Sequence, residues 1–403
     1  MKILLISTNY GGGAAIACRR QHQALLKNGV DSNLLVLDKV NSPEEKNVYS
    51  IQELISKKHG NWYFIFLKFC NRILNKFPVF FNKKVYINGP ASLFRIDKLK
   101  IYQEADIIHL HWVPKIISYK HVFADKKKVF FWTLHDMNPF TGGNHYTMDF
   151  DYSPYEKLLR KNIEKKKQYL ENVNITIIAP SLWLGKLVKA SEVFKKSEIK
   201  IIPYCIDTTV FNPINKVQAR ENLKINTINK KIILFVAENT NDKRKGIHLL
   251  LSALNKIKSK SQICVLIIGK KIENIDFDFQ VKQLGVIKKQ ADIVSCYNSA
   301  DFFVIPSIED NLPNTVLESL ACGTPVLGFN IGGIPDMIVN NKTGFLSEID
   351  KEEDFIKNID LLVEMDDYSN LSTNCRNSIV EKFSEKVIVP QLITLYSDHM
   401  NTK

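Results

Sequence analysis

The densest chemistry in the chain lies between Asp301 and Pro325. The run Asp301-Phe302-Phe303-Val304-Ile305 reads as a strand, Pro306 to Pro313 as a loop carrying Glu309 and Asp310, and Thr315 to Cys322 as a helix closed by a Gly323-Thr324-Pro325 turn. A helix N-terminus near Asn314 and Thr315 carries about half a positive charge and offers unpaired N–H groups, a fit for phosphate. Glu318, one turn further on, is placed to accept hydrogen bonds from vicinal hydroxyls such as those of a ribose. The plain alternative is an acidic loop followed by a solvated glutamate. A second cluster, Trp132-Thr133-Leu134-His135-Asp136 followed by Phe140-Thr141-Gly142-Gly143, puts polar groups at a strand's carboxyl end, where open parallel sheets bind ligands. A third, Gly11-Gly12-Gly13, lets backbone approach a ligand ahead of a helix starting near Ala14, or is an ordinary strand-to-helix turn. It lacks the dinucleotide spacing G-x-G-x-x-G.

These clusters need a scaffold that places loops at strand ends. Apolar runs alternate with amphipathic helix-length segments along all 403 residues, the pattern of parallel sheets with helical crossovers. Strands are expected at Lys2–Ser7, Asn33–Leu37, Asp106–His111, Lys128–Leu134, Ile175–Ala179 and Ile199–Ile202, then at Lys231–Ala237, Ile263–Gly269, Phe302–Pro306 and Pro325–Phe329. Pro203 to Pro213 has no periodicity and reads as a linker. The expected domains are therefore 1–205, 206–382, and a helix over 383–403 returning to the first. The seven cysteines are scattered with no C-x-x-C pair, which excludes a disulfide framework and a zinc site and suits a reducing cytoplasm. No stretch has the length and apolarity of a membrane span, and the N-terminus lacks the pattern of a secretory signal. A net charge of +13 calls for a negative partner. No recognition motif accompanies it, so nucleic acid is not expected.

The run from Pro306 to Phe345 resembles the signature of the GT-B-fold glycosyltransferases of family 4, retaining enzymes that use nucleotide sugars. The family's acidic residue, seven-residue spacer and Glu are matched by Asp310 and Glu318, with Asp in place of the usual Glu. Gly323-Thr324-Pro325-Val326, Gly332-Gly333-Ile334-Pro335-Asp336 and Asn341-Lys342-Thr343-Gly344-Phe345 continue the pattern. Ala179-Pro180-Ser181, Pro203 to Asp207 and Lys245-Gly246 resemble its hinge and its Lys-Gly turn. Gly11–Ala15, His109-Leu110-His111-Trp112 and Thr133–Gly143 are similar to bacterial polysaccharide-assembly members.

The resemblance implies an α/β chain of two facing Rossmann-like domains with the donor in an interdomain cleft. It implies that Glu318 holds the donor ribose and Asp310 a sugar hydroxyl, with Asn311, Leu312, Asn314 and Thr315 near sugar or phosphate. Lys245 neutralises the diphosphate, His135 contacts the donor sugar, and Gly12 and Gly13 shape the diphosphate and acceptor region. The family's Gly-Arg pair is replaced by Ala237-Glu238, so Arg244 is the candidate second cation; cysteines found beyond the Gly-Gly block in relatives are absent here. The implied activity is metal-independent transfer from a nucleotide-diphosphate sugar, a UDP-sugar ahead of a GDP-sugar, to a glycan or lipid-linked acceptor in cell-surface polysaccharide synthesis. No cofactor beyond the donor is implied. A sugar-nucleotide 2-epimerase and a non-catalytic nucleotide-sugar-binding protein are the competing readings. Two Asp-Phe-Asp triplets, Asp149–Asp151 and Asp276–Asp278, mimic the metal-binding D-x-D of another transferase fold and are read as coincidence.

From Lys57 to Val85 every charged residue apart from histidine is Lys or Arg, interleaved with Trp62, Tyr63, Phe64, Phe66, Phe69, Phe77, Phe80 and Phe81. Two readings stand: a basic amphipathic element for an anionic membrane surface at the inner face of the cell membrane, or a helix packing its aromatics inward.

Overall fold

The computed structural model describes residues 1–39, 45–76, 87–147, 153–225, 230–273 and 277–401. Residues 77–85 of the basic aromatic segment, the triplet Asp149–Asp151 and Asp276 lie outside these. The chain divides into two compact units, Met1–Tyr204 with Val389–Lys403, and Cys205–Ile388.

The first unit is built on seven strands: β1 (Lys2–Ile6), β2 (Asp31–Val36), β3 (Val48–Ser50), β4 (Ile107–Leu110), β5 (Val129–Thr133), β6 (Ile175–Ala179) and β7 (Glu198–Ile201). All pair in parallel in the order β3-β2-β1-β4-β5-β6-β7. A parallel sheet covered on both faces needs strands apolar on both sides, and the central β4, β5 and β6 are buried at every position. The crossovers include α1 (Gly13–Lys27), α2 (Ile51–His59), α3 (Asn61–Lys76), α4 (Lys100–Gln103), α5 (Tyr119–Val122), α6 (Glu156–Leu170) and α7 (Leu182–Ala190). Because the strands are parallel, the loops after β1, β4 and β5 share one sheet edge. That places Gly11–Gly13, His111 and His135 on neighbouring strand ends.

α3 is turned against the usual amphipathic sense. Trp62, Ile65, Phe66, Phe69 and Ile73, at helical spacing, point outward, with Trp62 69% and Phe69 61% exposed. Its inward residues include Phe64, Asn71 and Asn75. The Asn71 amide donates to the Lys115 carbonyl and accepts from the Leu93 N–H, while Asn75 donates to the Asn71 carbonyl. Inward aromatic packing therefore holds for Phe64, stacked on Phe94, and not for the outer stripe.

The second unit opens with α8 (Lys216–Asn222). Six parallel strands follow: β8 (Lys231–Ala237), β9 (Ile263–Gly269), β10 (Gln280–Gly285), β11 (Phe302–Ile305), β12 (Val326–Phe329) and β13 (Gly344–Ser347), in the order β10-β9-β8-β11-β12-β13. The helices are α9 (Ile247–Leu254), α10 (Gln290–Ser299), α11 (Asn314–Ala321), α12 (Glu352–Glu364) and α13 (Ser369–Lys382). β8, β11 and β12 are neighbours, so the loops at 238–246, 306–313 and 330–333 meet at one edge. The last helix, α14 (Glu385–Asn401), contributes Val389 onward to the first unit. No helix among the described residues is long and apolar enough to cross a membrane.

Candidate functional site

In the second unit the chemistry gathers where the loop after β8 meets the loop after β11. A single 3-10 turn, Lys243–Lys245, is capped by the Asp242 carboxylate, which accepts from the Arg244 N–H. It ends at Gly246 in the left-handed region (φ 70°), where a Cβ would stand 1.7 Å from the Pro306 carbonyl oxygen. Only glycine permits that approach, and it brings two cations onto the acidic loop. Lys245 Nζ donates to Asp310 Oδ2 at 2.5 Å, and Arg244 lies 3.7 Å from the same oxygen. Arg244 also donates to the Glu309 carbonyl at 2.8 Å and pairs with Asp242 at 3.3 Å. Burial alone would raise the Asp310 pKa. The Lys245 and Arg244 charges, with hydrogen bonds from Lys245 and the Asn311 N–H, override it and hold the carboxyl below its usual range.

The loop is fixed from the other side by Gly332, whose φ of 56° lets its backbone come against the Asp310 carbonyl; a Cβ there would meet that oxygen at 2.0 Å. The Gly333 N–H donates to the same carbonyl. Asn311, Leu312 and Asn314 are buried and Thr315 half-buried around the N-terminus of α11, which no side chain caps. Glu318 is buried one turn along and accepts from the Tyr297 hydroxyl at 2.8 Å. Tyr297, on α10, had no signal in the sequence, because only the packing of α10 beside α11 brings it to the carboxylate.

The first unit's strand ends carry a different set. His135 is buried, its Nδ1 2.7 Å from the Tyr204 hydroxyl and its Nε2 3.0 Å from His111 Nδ1. His111 in turn stacks on His109, whose Nδ1 lies 2.6 Å from the Tyr396 hydroxyl and whose Nε2 lies 2.8 Å from Thr133 Oγ1. Burial pulls the pKa of His135 down to about 4 and that of His109 to about 3, and depresses His111 well below the ordinary value. The three imidazoles are neutral at pH 7. The His111 Nε2 is buried and has no hydrogen-bond partner.

Asp136, the acidic neighbour of His135 in sequence, serves the loop instead. Its carboxylate accepts from the Trp112 indole at 2.8 Å and the Asn138 N–H at 2.9 Å, and lies 2.6 Å from His145 Nδ1. Lys166 completes the support. Asn162, Lys166 and Leu170 form the buried stripe of α6, and the fully buried Lys166 ammonium donates to the carbonyls of Asn138 and Thr141. Burial draws its pKa down to about 7, with the Asp136 charge acting the other way. Asn162 donates to the Gly142 carbonyl. A lysine inside the run Arg160-Lys161-Asn162-Ile163-Glu164-Lys165-Lys166-Lys167 carries no sign of such a role. Its helical spacing to Asn162 and Leu170 is the one readable hint. Gly12 and Gly13 lie at the N-terminus of α1, which has no side-chain cap, and nothing stands within 4 Å of where a Gly11 Cβ would be. No group of metal-ligating side chains suited to an ion occurs among the described residues.

Residues 218–379, inside the second unit, match the sequence family described as glycosyl transferases group 1. The chain is 25% identical over 312 residues to the N-acetyl-alpha-D-glucosaminyl L-malate synthase of Bacillus anthracis, covering 73% of this chain and 75% of that protein. It is 27% identical over 217 residues to the Escherichia coli UDP-Gal:alpha-D-GlcNAc-diphosphoundecaprenol alpha-1,3-galactosyltransferase, covering 51% of this chain and 56% of the relative. It is 30% identical over 164 residues to the Staphylococcus aureus capsular polysaccharide biosynthesis glycosyltransferase CapM, covering 38% and 43%. In fold it is similar to the sucrose-phosphate synthase of Thermosynechococcus elongatus, with a TM-score of 0.70 at 19% identity over the whole of both chains. It is also similar to Anabaena HepE in complex with UDP-glucose, with a TM-score of 0.68 at 14% identity over 99% of this chain and 100% of that one. Two parallel α/β sheets, the group 1 match in the second unit and these glycosyltransferase relatives together support a glycosyltransferase of the GT-B fold.

Proposed function

We propose that this chain is a retaining glycosyltransferase that moves a sugar from a nucleotide-diphosphate sugar, a UDP-sugar ahead of a GDP-sugar, to a glycan or lipid-linked acceptor in cell-surface polysaccharide synthesis, without a metal ion. The observation that carries the reading is the Lys245–Asp310 pair, with Arg244 beside it, next to the uncapped N-terminus of α11 and the buried Glu318. Two cations and a helix N-terminus suit a diphosphate; a buried carboxylate one turn along suits a diol. The donor class is supported by relatives whose names and titles carry UDP-sugars, and the polysaccharide setting by CapM.

In the reaction the bond from the anomeric carbon to the β-phosphate oxygen breaks and one to the acceptor oxygen forms. The acceptor proton passes to the departing phosphate. Lys245 and Arg244 stabilise the negative charge that accumulates there. Lys245 must exchange Asp310 for the diphosphate, which frees the Asp310 carboxylate to accept from a sugar hydroxyl. Within the first unit, His135 is a neutral imidazole that can donate or accept toward a hydroxyl.

A thermal-shift panel of UDP-, GDP- and ADP-sugars tests the donor, since a ligand bound by the folded state raises the midpoint. Acceptor-dependent release of free nucleotide separates transfer from 2-epimerisation and from binding alone. Turnover that persists in excess EDTA is expected; loss restored by Mg²⁺ or Mn²⁺ overturns the metal-free step. We also assign the outward face of α3 to an anionic membrane surface on the cytoplasmic side, because an aromatic stripe flanked by Lys57, Lys58, Lys68 and Arg72 suits lipid headgroups. Wild-type protein should float with anionic vesicles at low salt and be released as salt rises. Failure to float at low salt removes this role.

A further inference from the structure

We propose that the first unit binds the alkyl chain of an anionic lipid in an open-mouthed cavity of about 880 Å³ lined by β1, β2, α2, α3 and the 93–105 segment. This deepens the membrane-docking reading of α3 and rests on it for the source of the lipid. The cavity falls in the size range that takes a small amphiphile. Buried apolar residues Leu4, Ile51, Phe94 and Ala105 line it, and Leu54 and Leu67 pack against the same core.

The charged lining is mostly basic. Lys2, Lys58, Arg95, Lys98 and Lys100 stand against Asp31 and Glu104. Arg95 is engaged by Asp97, and Lys100 pairs with Glu104. Among the described residues no carboxylate lies within ion-pair distance of the side chains of Lys2, Lys58 or Lys98. An apolar cavity with unpaired cations at its margin complements an aliphatic chain ending in phosphate. Tyr63 and Leu67 of α3 line it while Trp62, Phe66 and Phe69 of the same helix face outward, so apolar surface runs from the outer stripe to the cavity.

The position separates this site from the reaction. Lys2 and Leu4 begin β1 and Asp31 and Asn33 begin β2, so the cavity sits toward the amino ends of the strands. The histidine cluster sits at their carboxyl ends. A chain held here anchors the protein and is not the acceptor being glycosylated.

Dodecyl phosphate, kept below its micellar concentration, tests this on the full-length protein by calorimetry and thermal shift, with inorganic phosphate and dodecyl maltoside as comparators. Saturable binding of dodecyl phosphate is expected, about tenfold or more tighter than the neutral-headed amphiphile, with none for phosphate. The exposed pair Lys58→Glu/Lys98→Glu should weaken it about tenfold or more without lowering the melting temperature, and the cavity-filling Leu54→Trp should abolish it. Absence of saturable binding, or binding indifferent to head group and to both variants, overturns the proposal. Binding that emerges only in Phe80→Ser/Phe81→Ser assigns the cavity to the chain's own segment and also overturns it. The titration needs no membrane, so it fails or succeeds independently of vesicle flotation and of donor binding.

Discussion

The two units use the carboxyl edge of a parallel sheet in opposite electrostatic ways. In the second unit, β8 and β11 end in loops that bring Lys245 and Arg244 onto Asp310, a charged cluster ready to exchange partners. In the first, β4 and β5 end in His111 and His135, neutral imidazoles joined to each other and to Tyr204. The charged cluster suits a group whose negative charge grows during reaction. The neutral chain suits hydroxyls, which need both a donor and an acceptor. Similar sheets thus end in a charged cluster in one unit and a neutral one in the other, and the supports differ accordingly: glycine turns at Gly246 and Gly332 in one, a buried lysine in the other.

Removing a charged acceptor from the second unit should have the largest effect. Glu318→Ala should leave the fold intact and weaken nucleotide binding by about 2–4 kcal/mol, because hydrogen bonds to charged groups contribute about 1.5–3 kcal/mol each. A calorimetric affinity equal to wild type refutes the ribose assignment. Next comes the ion pair. Lys245→Met leaves Arg244 as the one cation beside the buried Asp310 and should cost about 1–3 kcal/mol of stability along with most of the activity. Adding Asp310→Asn should restore the melting temperature but not turnover. Recovery of both would make the pair structural only.

In the first unit Lys166→Met should destabilise by about 1–3 kcal/mol by stranding the buried Asn138 and Thr141 carbonyls that its ammonium serves. The effect should exceed that of Lys165→Met on the exposed face of α6. Equal effects would remove the loop-anchoring role.

Acidification should separate the units. The folded-state pKa values of His135 and His109 lie below 6.5, so the unfolded chain binds more protons below that value. Stability is then lost as pH falls from about 6.5 toward 4, by at most about 1.4 kcal/mol per unit for each imidazole. The depressed Asp310 pKa contributes stability that is lost only as pH falls below the ordinary carboxylate range near 3.8. For Lys166, lowered from 10.5 to about 7, the unfolded chain is the better proton binder between those values, so stability rises with pH across them. Denaturant titrations at pH 7.5 and 5.5, with His135→Asn reducing the difference, check the first window. A difference unchanged in that variant would detach it from the cluster.

The smallest effect on stability is expected at α3. Phe69→Ser, at an outward position, should change it by no more than about 0.5 kcal/mol. Its consequence should appear in vesicle flotation, and a large loss of stability would mean that the residue is packed.

The amino-acid order by itself determined the central strands and the identity of the candidate site. β5, β6 and β9 are buried throughout and therefore read as near-continuous apolar runs, with Thr133 and Thr176 as the polar exceptions. The acidic loop, Glu318 and the glycines at tight turns are local in sequence. Two edge strands were not legible: β10 is a polar, half-buried stretch, and β3 has three residues, too few for a period, whereas the edge strand β7 was read at Ile199–Ile202. Side-chain partnerships were decided only by the tertiary structure. Lys245 meets Asp310 across 65 residues, His109 meets Tyr396 across 287, and Lys166 reaches the Asn138 carbonyl across 28. The same holds for the direction in which α3 turns its aromatics, a choice the alternation of aromatic and basic residues left open. Burial and pairing depend on what folds against an element, and local order encodes only the element.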